Sequence, residues 1–115
     1  MKQVKQELPI ITKSYNLVKY YVPILNRLPK SHKFMLGDRI ILKLYDLLEN
    51  LIKAKYSRNK VNLLEEINLN LDLMRYQTQL LLDFELIGNQ SFEEITRSIN
   101  EIGVELRNWI NQQKN

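Results

Sequence analysis

Apolar residues return every three or four positions along almost the whole of this 115-residue chain, and very little interrupts them. Glycine and proline occur three times each, and there is no Asn-Gly or Asp-Gly pair to close a hairpin. A strand turns alternate residues to opposite faces, whereas a helix brings a residue back to the same face after about 3.6 positions. The spacing therefore confines the chain to an all-α fold. How many helices there are, and how wide their apolar faces run, decides the rest.

The spacing predicts four helices over about residues 10–28, 33–55, 59–86 and 91–112, within a single domain covering residues 1–115. In the first, Ile11, Val18, Tyr21, Leu25 and Leu28 share a stripe, with Leu17, Tyr20 and Ile24 beside it. Tyr20 reads as core and Tyr21 as core edge. Pro23 removes one backbone hydrogen bond and predicts a kink, and Pro29 stops the helix. The second carries two stripes: Leu36, Ile40, Leu44, Leu47, Leu51 and Ala54, then Ile41, Tyr45, Leu48 and Ile52. The third also carries two: Leu64, Ile67, Leu71 and Met74, then Leu69, Leu73, Tyr76 and Leu80.

Gly88 and Asn89 suit the end of the third helix. The sequence "SFEE" then reads as a capping box, with Ser91 capping the fourth helix and Glu94 reaching back. The fourth helix has a single stripe of Phe92, Ile95, Ile99, Ile102, Leu106 and Ile110.

Four helices with short connections predict an up-down bundle. An isolated bundle needs only one apolar stripe per helix. The second and third helices exceed that, which leaves apolar surface for another subunit. The same pattern would also suit the two most buried helices of a monomer.

Charge is segregated along the chain. Residues 1–60 carry 13 Lys and Arg against 4 Asp and Glu, whereas residues 61–115 carry 4 against 9. That split fits a polyanion-binding face, head-to-tail pairing of subunits, or simply solvated flanks. The stretch "RLPKSHKFMLGDRI" (residues 27–40) concentrates it: Arg27, Lys30, His32, Lys33 and Arg39 stand against one acid, Asp38. Clustered cations at a helix connection bind phosphates by releasing counterions, without reading sequence, and a helix N-terminus adds backbone donors. As an ordinary bundle corner, the stretch would only solubilise the end, with Pro29 breaking one helix and Ser31 capping the next.

Composition excludes several classes. The absence of cysteine removes disulfides, thiolate metal sites, haem attachment and cysteine nucleophiles, and it fits a reducing, cytoplasmic setting. One histidine, His32, cannot supply the paired Glu-x-x-His motifs of a di-iron bundle. No glycine-rich phosphate loop exists, and the adjacent acids Glu65–Glu66 and Glu93–Glu94 diverge by about 100° on a helix. No catalytic residue, cofactor or metal is therefore expected. The N-terminus, "MKQVKQELPII", has no apolar core of the secretory kind, and no apolar run reaches the roughly 18 residues of a membrane span.

Four motifs in order, "LPKSHKFMLGDRI", "LIKAKYSR", "LDLMRY" and "INEIGVELRNWI", resemble the Avd accessory proteins of diversity-generating retroelements. They are also similar to the wider four-helix-bundle family encoded in intervening sequences of bacterial 23S rRNA genes. The resemblance covers about residues 15–112. It implies a homopentameric ring or barrel of bundles with a basic surface. Such a protein associates with a retroelement reverse transcriptase and its template RNA and supports mutagenic cDNA synthesis without catalysing it. The rRNA-insert relatives imply the alternative, a self-assembling interaction module with no retroelement role.

Position by position, Pro29 to Phe34, Gly37, Arg39, Ala54, Tyr56 and Arg75 match the family's first three motifs. Glu101, Ile102, Gly103 and Trp109 match its last helix. Gln79 stands where a second arginine is common, and Arg107–Asn108 where a small glycine pair is common. The candidate nucleic-acid contacts are thus Arg27, Lys30, His32, Lys33, Arg39 and Arg75. Arg75 also reads as one half of an ion pair with Asp72, Glu101 or Glu105. Trp109, beside Ile110, reads as a packing anchor.

Overall fold

The computed structural model describes residues 8–115, so most of the N-terminal stretch considered above lies outside the described residues. Four long helices form: α1 (Pro9–Asn26), α2 (Asp38–Tyr56), α3 (Val61–Asp83) and α4 (Asn89–Lys114). No strand occurs among the described residues. A single helical turn at Lys30–His32 and a π-helical turn at Lys33–Gly37 run directly into α2. α1 packs against α2 and α4, and α3 packs against the same two helices. That neighbour-to-neighbour order is the up-down four-helix bundle.

The core follows the apolar spacing. Ile40, Leu44, Leu47, Leu51 and Ala54 of α2 are buried, as are Leu64, Ile67, Leu71 and Met74 of α3. They meet Ile95, Ile99, Ile102, Leu106 and Ile110 of α4, with Leu17, Tyr21 and Leu25 of α1 closing the fourth side. The surplus apolar surface is real. The second stripe of α3, Leu69, Leu73, Tyr76 and Leu80, lies in solvent, with Tyr76 70% exposed. The second stripe of α2 divides, Ile41 and Leu48 being half-buried while Tyr45 and Ile52 are exposed.

One polar contact ties the core together. The Tyr21 hydroxyl lies 2.7 Å from Thr78 Oγ1, and Thr78 Oγ1 donates to the Met74 carbonyl at 2.8 Å. Since the threonine proton is committed to Met74, Tyr21 donates and Thr78 accepts. The expected assignment of the two tyrosines is reversed: Tyr21 is fully buried and Tyr20 is 41% exposed. Adjacent helical residues differ by about 100°, and the stripe through Leu17 and Leu25 passes over Tyr21.

Helix ends differ most from expectation. α3 stops at Asp83 rather than near Leu86, and Gly88 takes no part in stopping it. Glu85 adopts a left-handed backbone at φ 59°, donating its N–H to Leu82 O while Leu86 N–H reaches Leu81 O. Those two bonds are a Schellman end, a motif that glycine usually supplies. Gly88 instead precedes α4 as its N-cap, and no side chain caps that helix. The capping box is therefore displaced: Ser91 lies inside the first turn, and Glu94 pairs with Arg97 at 2.9 Å. Nor does Ser31 cap the turn before α2, where Pro29 holds the cap position. At the far end of α2, Lys60 Nζ donates to the carbonyls of Ala54 at 2.9 Å and Ser57 at 2.7 Å, which closes that helix.

Candidate nucleic-acid interface

The connection from α1 to the turn before α2 is only Arg27–Pro29. The last amides of α1 tighten, Arg27 N–H bonding Ile24 O and Leu28 N–H bonding Leu25 O. Leu28 turns inward and is buried, so Arg27 on one side and Pro29 and Lys30 on the other face solvent. Gly37 permits this tight corner. A Cβ at that position would stand 3.3 Å from Leu28 Cδ1 and 3.5 Å from the Leu25 carbonyl oxygen.

The five basic residues of the stretch then divide by how they are used. Lys33 Nζ bonds Asp38 Oδ1 at 3.1 Å and sits 5.4 Å from the centre of the Phe34 ring. His32 is half-buried, its ring centre 6.2 Å from that of Phe84 at the end of α3. Arg27, Lys30 and Arg39 are exposed, and none has a carboxylate partner among the described residues. The same end also holds acids that the linear reading did not bring near: the His32–Phe84 contact places Asp83 and Glu85 of the α3 end beside this corner.

Arg75 is not gathered with the others. It lies nine residues before Phe84, roughly 13 Å down the axis of α3. Its Nε donates to Asn100 Oδ1 at 3.1 Å, and its Nη1 stands 3.4 Å from Asp72 Oδ1. Of the three acids considered for it, Asp72 is the partner, while Glu105 pairs with Lys13 across α1 and α4. That partner raises the Lys13 pKa, chiefly through its hydrogen bond. The Arg75 guanidinium lies over Gly103, where a Cβ would stand 2.8 Å from Nη2. Gln79 likewise spends its side chain locally, donating to Asp83 Oδ1 at 3.0 Å. Trp109 is half-buried against the core, as a packing anchor should be.

Sequence reasoning missed the aromatic character of the corner. Phe34, Met35 and Phe84 are 60%, 71% and 55% exposed. Phe34 and Met35 were visible as apolar residues inside a basic run, but the π turn they occupy was not.

A family model described as bAvd-like matches residues 8–113. The chain belongs to the bAvd-like family. The match spans all four helices, so the family relation covers the bundle as a whole. No curated protein matches the chain. Among the described residues, no helix is long and apolar enough to cross a membrane.

Proposed function

We propose that this bAvd-like bundle is a non-catalytic, nucleic-acid-binding accessory protein. It works with a retroelement reverse transcriptase and its template RNA in the cytoplasm and supports mutagenic cDNA synthesis. The observation that carries the reading is the set of three exposed cations, Arg27, Lys30 and Arg39, that no carboxylate neutralises among the described residues. Lys33 and His32 lie beside them as weaker contributors, because Lys33 is already engaged by Asp38. Arg75, held by Asn100 and Asp72, would have to leave those partners to reach a phosphate.

Self-association belongs to the same reading. The exposed stripe of α3 supplies an apolar face, and a homopentameric ring would repeat the basic corner so that several modest sites act together. Isolated corners bind weakly; a ring of them need not.

The test replaces Arg27, Lys30, Lys33 and Arg39 with alanine and measures affinity for single-stranded RNA and DNA at several salt concentrations. With three free cations engaged and about 0.7 counterions released per phosphate, the log–log slope for one subunit should be near −2. The variant should lose most of that slope while keeping its helicity and its mass in solution. Unchanged affinity would overturn the assignment. The alternative, a self-assembling interaction module of the rRNA-insert type, is favoured by the apolar stripe alone and predicts no salt-dependent strand binding. A neighbouring reverse-transcriptase gene flanked by paired template and variable repeats would decide for the retroelement role.

A further inference from the structure

We propose that the exposed apolar seam of α3 in one copy seats on the flank between α1 and α2 of the next copy, so that the chain assembles head to tail. The inference rests on the self-association in the reading above and names the surface that receives α3.

Two contacts fix which residues share that flank. α1 packs between α2 and α4, and its Lys13 pairs with Glu105 of α4. Tyr15 stands about 200° round the helix from Lys13, which puts it on the α2 side. Lys19 and Val22, about one and two turns on, keep to that side, and the Lys19 ammonium lies 5.6 Å from the centre of the Tyr15 ring. On α2, a Cβ at Gly37 would meet Leu25 and Leu28, so that side of the helix faces α1. Ile41 and Leu48 return to it about one and three turns later and are half-buried. Tyr45 and Ile52 lie roughly 60–80° further round, on the side away from the core stripe. The helices run antiparallel from a tight corner, so Tyr15 and Leu48 both stand about 15 Å from the Leu25–Gly37 contact. Tyr15, Tyr45 and Ile52 are 45%, 44% and 41% exposed over a half-buried floor of Val22, Ile41 and Leu48.

Charge selects the occupant. α1 carries no acid, and Lys55, about five turns beyond Gly37, returns to the α1 side of α2. Glu49 stands only at the outer border of the flank. The α3 seam has the opposite character. Leu69, Leu73, Tyr76 and Leu80 are exposed, and the same three- and four-residue steps reach exposed Glu66 before them and exposed Asp83 after them. The one cation of α3, Arg75, leans on α4 through Asn100. Two α3 seams face to face would set Glu66 and Asp83 against acids whether they ran parallel or antiparallel, and like charges brought together oppose association. Two α1–α2 flanks would set lysine against lysine. A seam on a flank joins apolar surface to apolar surface and acids to lysines. Each copy offers one of each, so the contact is heterologous and repeats until a ring closes.

The test breaks the two surfaces separately and then mixes the products. A seam variant carries Leu73→Lys and Tyr76→Glu; a flank variant carries Lys19→Glu and Tyr45→Glu. All four side chains are exposed, so helicity and Tm should match wild type. Each variant alone should weigh 13.8 kDa by light scattering. Mixed in equal amounts, the intact seam of one meets the intact flank of the other, and the mass should rise to twice that value and no further. The chain has no cysteine, which permits a milder second measurement. A short bis-maleimide should join Tyr45→Cys chains to Tyr76→Cys chains in preference to joining either to itself. If the flank variant assembles as wild type does, or Tyr76→Cys chains join chiefly to themselves, the inference fails while self-association through α3 stands. A mixture that stays at 13.8 kDa and yields no mixed cross-link would also overturn it. A wild type of 13.8 kDa would remove the inference and the self-association together.

Discussion

Two single residues carry measurable stability. Glu85 holds a left-handed backbone that costs a side-chain-bearing residue roughly 1 kcal/mol relative to glycine. Glu85→Gly should therefore raise stability by about that amount in denaturant titration, without moving the end of α3. A loss would mean that the glutamate side chain makes a compensating contact. Tyr21 is the second. Burial pushes its hydroxyl up to about 12. A tyrosine in the unfolded chain ionises near 10. Below that pH the proton is bound in both states. Between about 10 and 12 only the unfolded chain releases it, so the protein loses stability as pH rises through this window. Tyr21→Phe should cost about 1 kcal/mol at neutral pH through the lost hydrogen bond. It should also flatten the alkaline fall in Tm, and parallel alkaline slopes for the two proteins would argue against the assignment.

At the scale of the helix, α3 carries apolar residues on two opposed sides. The inner side is satisfied by the bundle. On the outer side, Leu69, Leu73, Tyr76 and Leu80 follow the alternating four- and three-residue steps of a coiled-coil seam. Replacing Leu73 with lysine and Tyr76 with glutamate should leave the fold intact, because both residues point into solvent, and should reduce the mass measured by light scattering to 13.8 kDa. A wild type already at that mass would remove the self-association from the proposal. The four helices and the buried stripes could be read from the sequence because burial imposes a period of about 3.6 and leaves it in the spelling of the chain. Helix ends could not be read as well. A Schellman end depends on backbone angles that glutamate at position 85 does nothing to advertise. A one-residue phase change at Lys33–Gly37 disturbs the period over too short a run to be seen. The basic corner could be located from charge alone, but not the engagement of Lys33 by Asp38, nor the separation of Arg75, which required knowing where α4 lies.

At the scale of the molecule, the division of charge along the chain becomes a division across the body. α1 and α2 pack side by side and, together with the segments that follow each of them, hold most of the cations, while α3 and α4 hold most of the acids, with Glu65, Glu66, Asp72, Glu93 and Glu101 all exposed. The body measures 44 × 30 × 22 Å. Even its shortest dimension is about twice the screening length of roughly 10 Å at 0.1 M salt. A charge on one flank is therefore barely felt beyond the other, and the net value of +4 describes neither. The molecule behaves as a two-poled particle. Approaching a polyanion, it experiences a torque before it makes contact and arrives with the α1–α2 flank leading. A strand coated in this way would present a second, acidic skin to its surroundings. Coated strands would then repel one another, and added salt, which weakens the attachment, would also collapse the spacing between them.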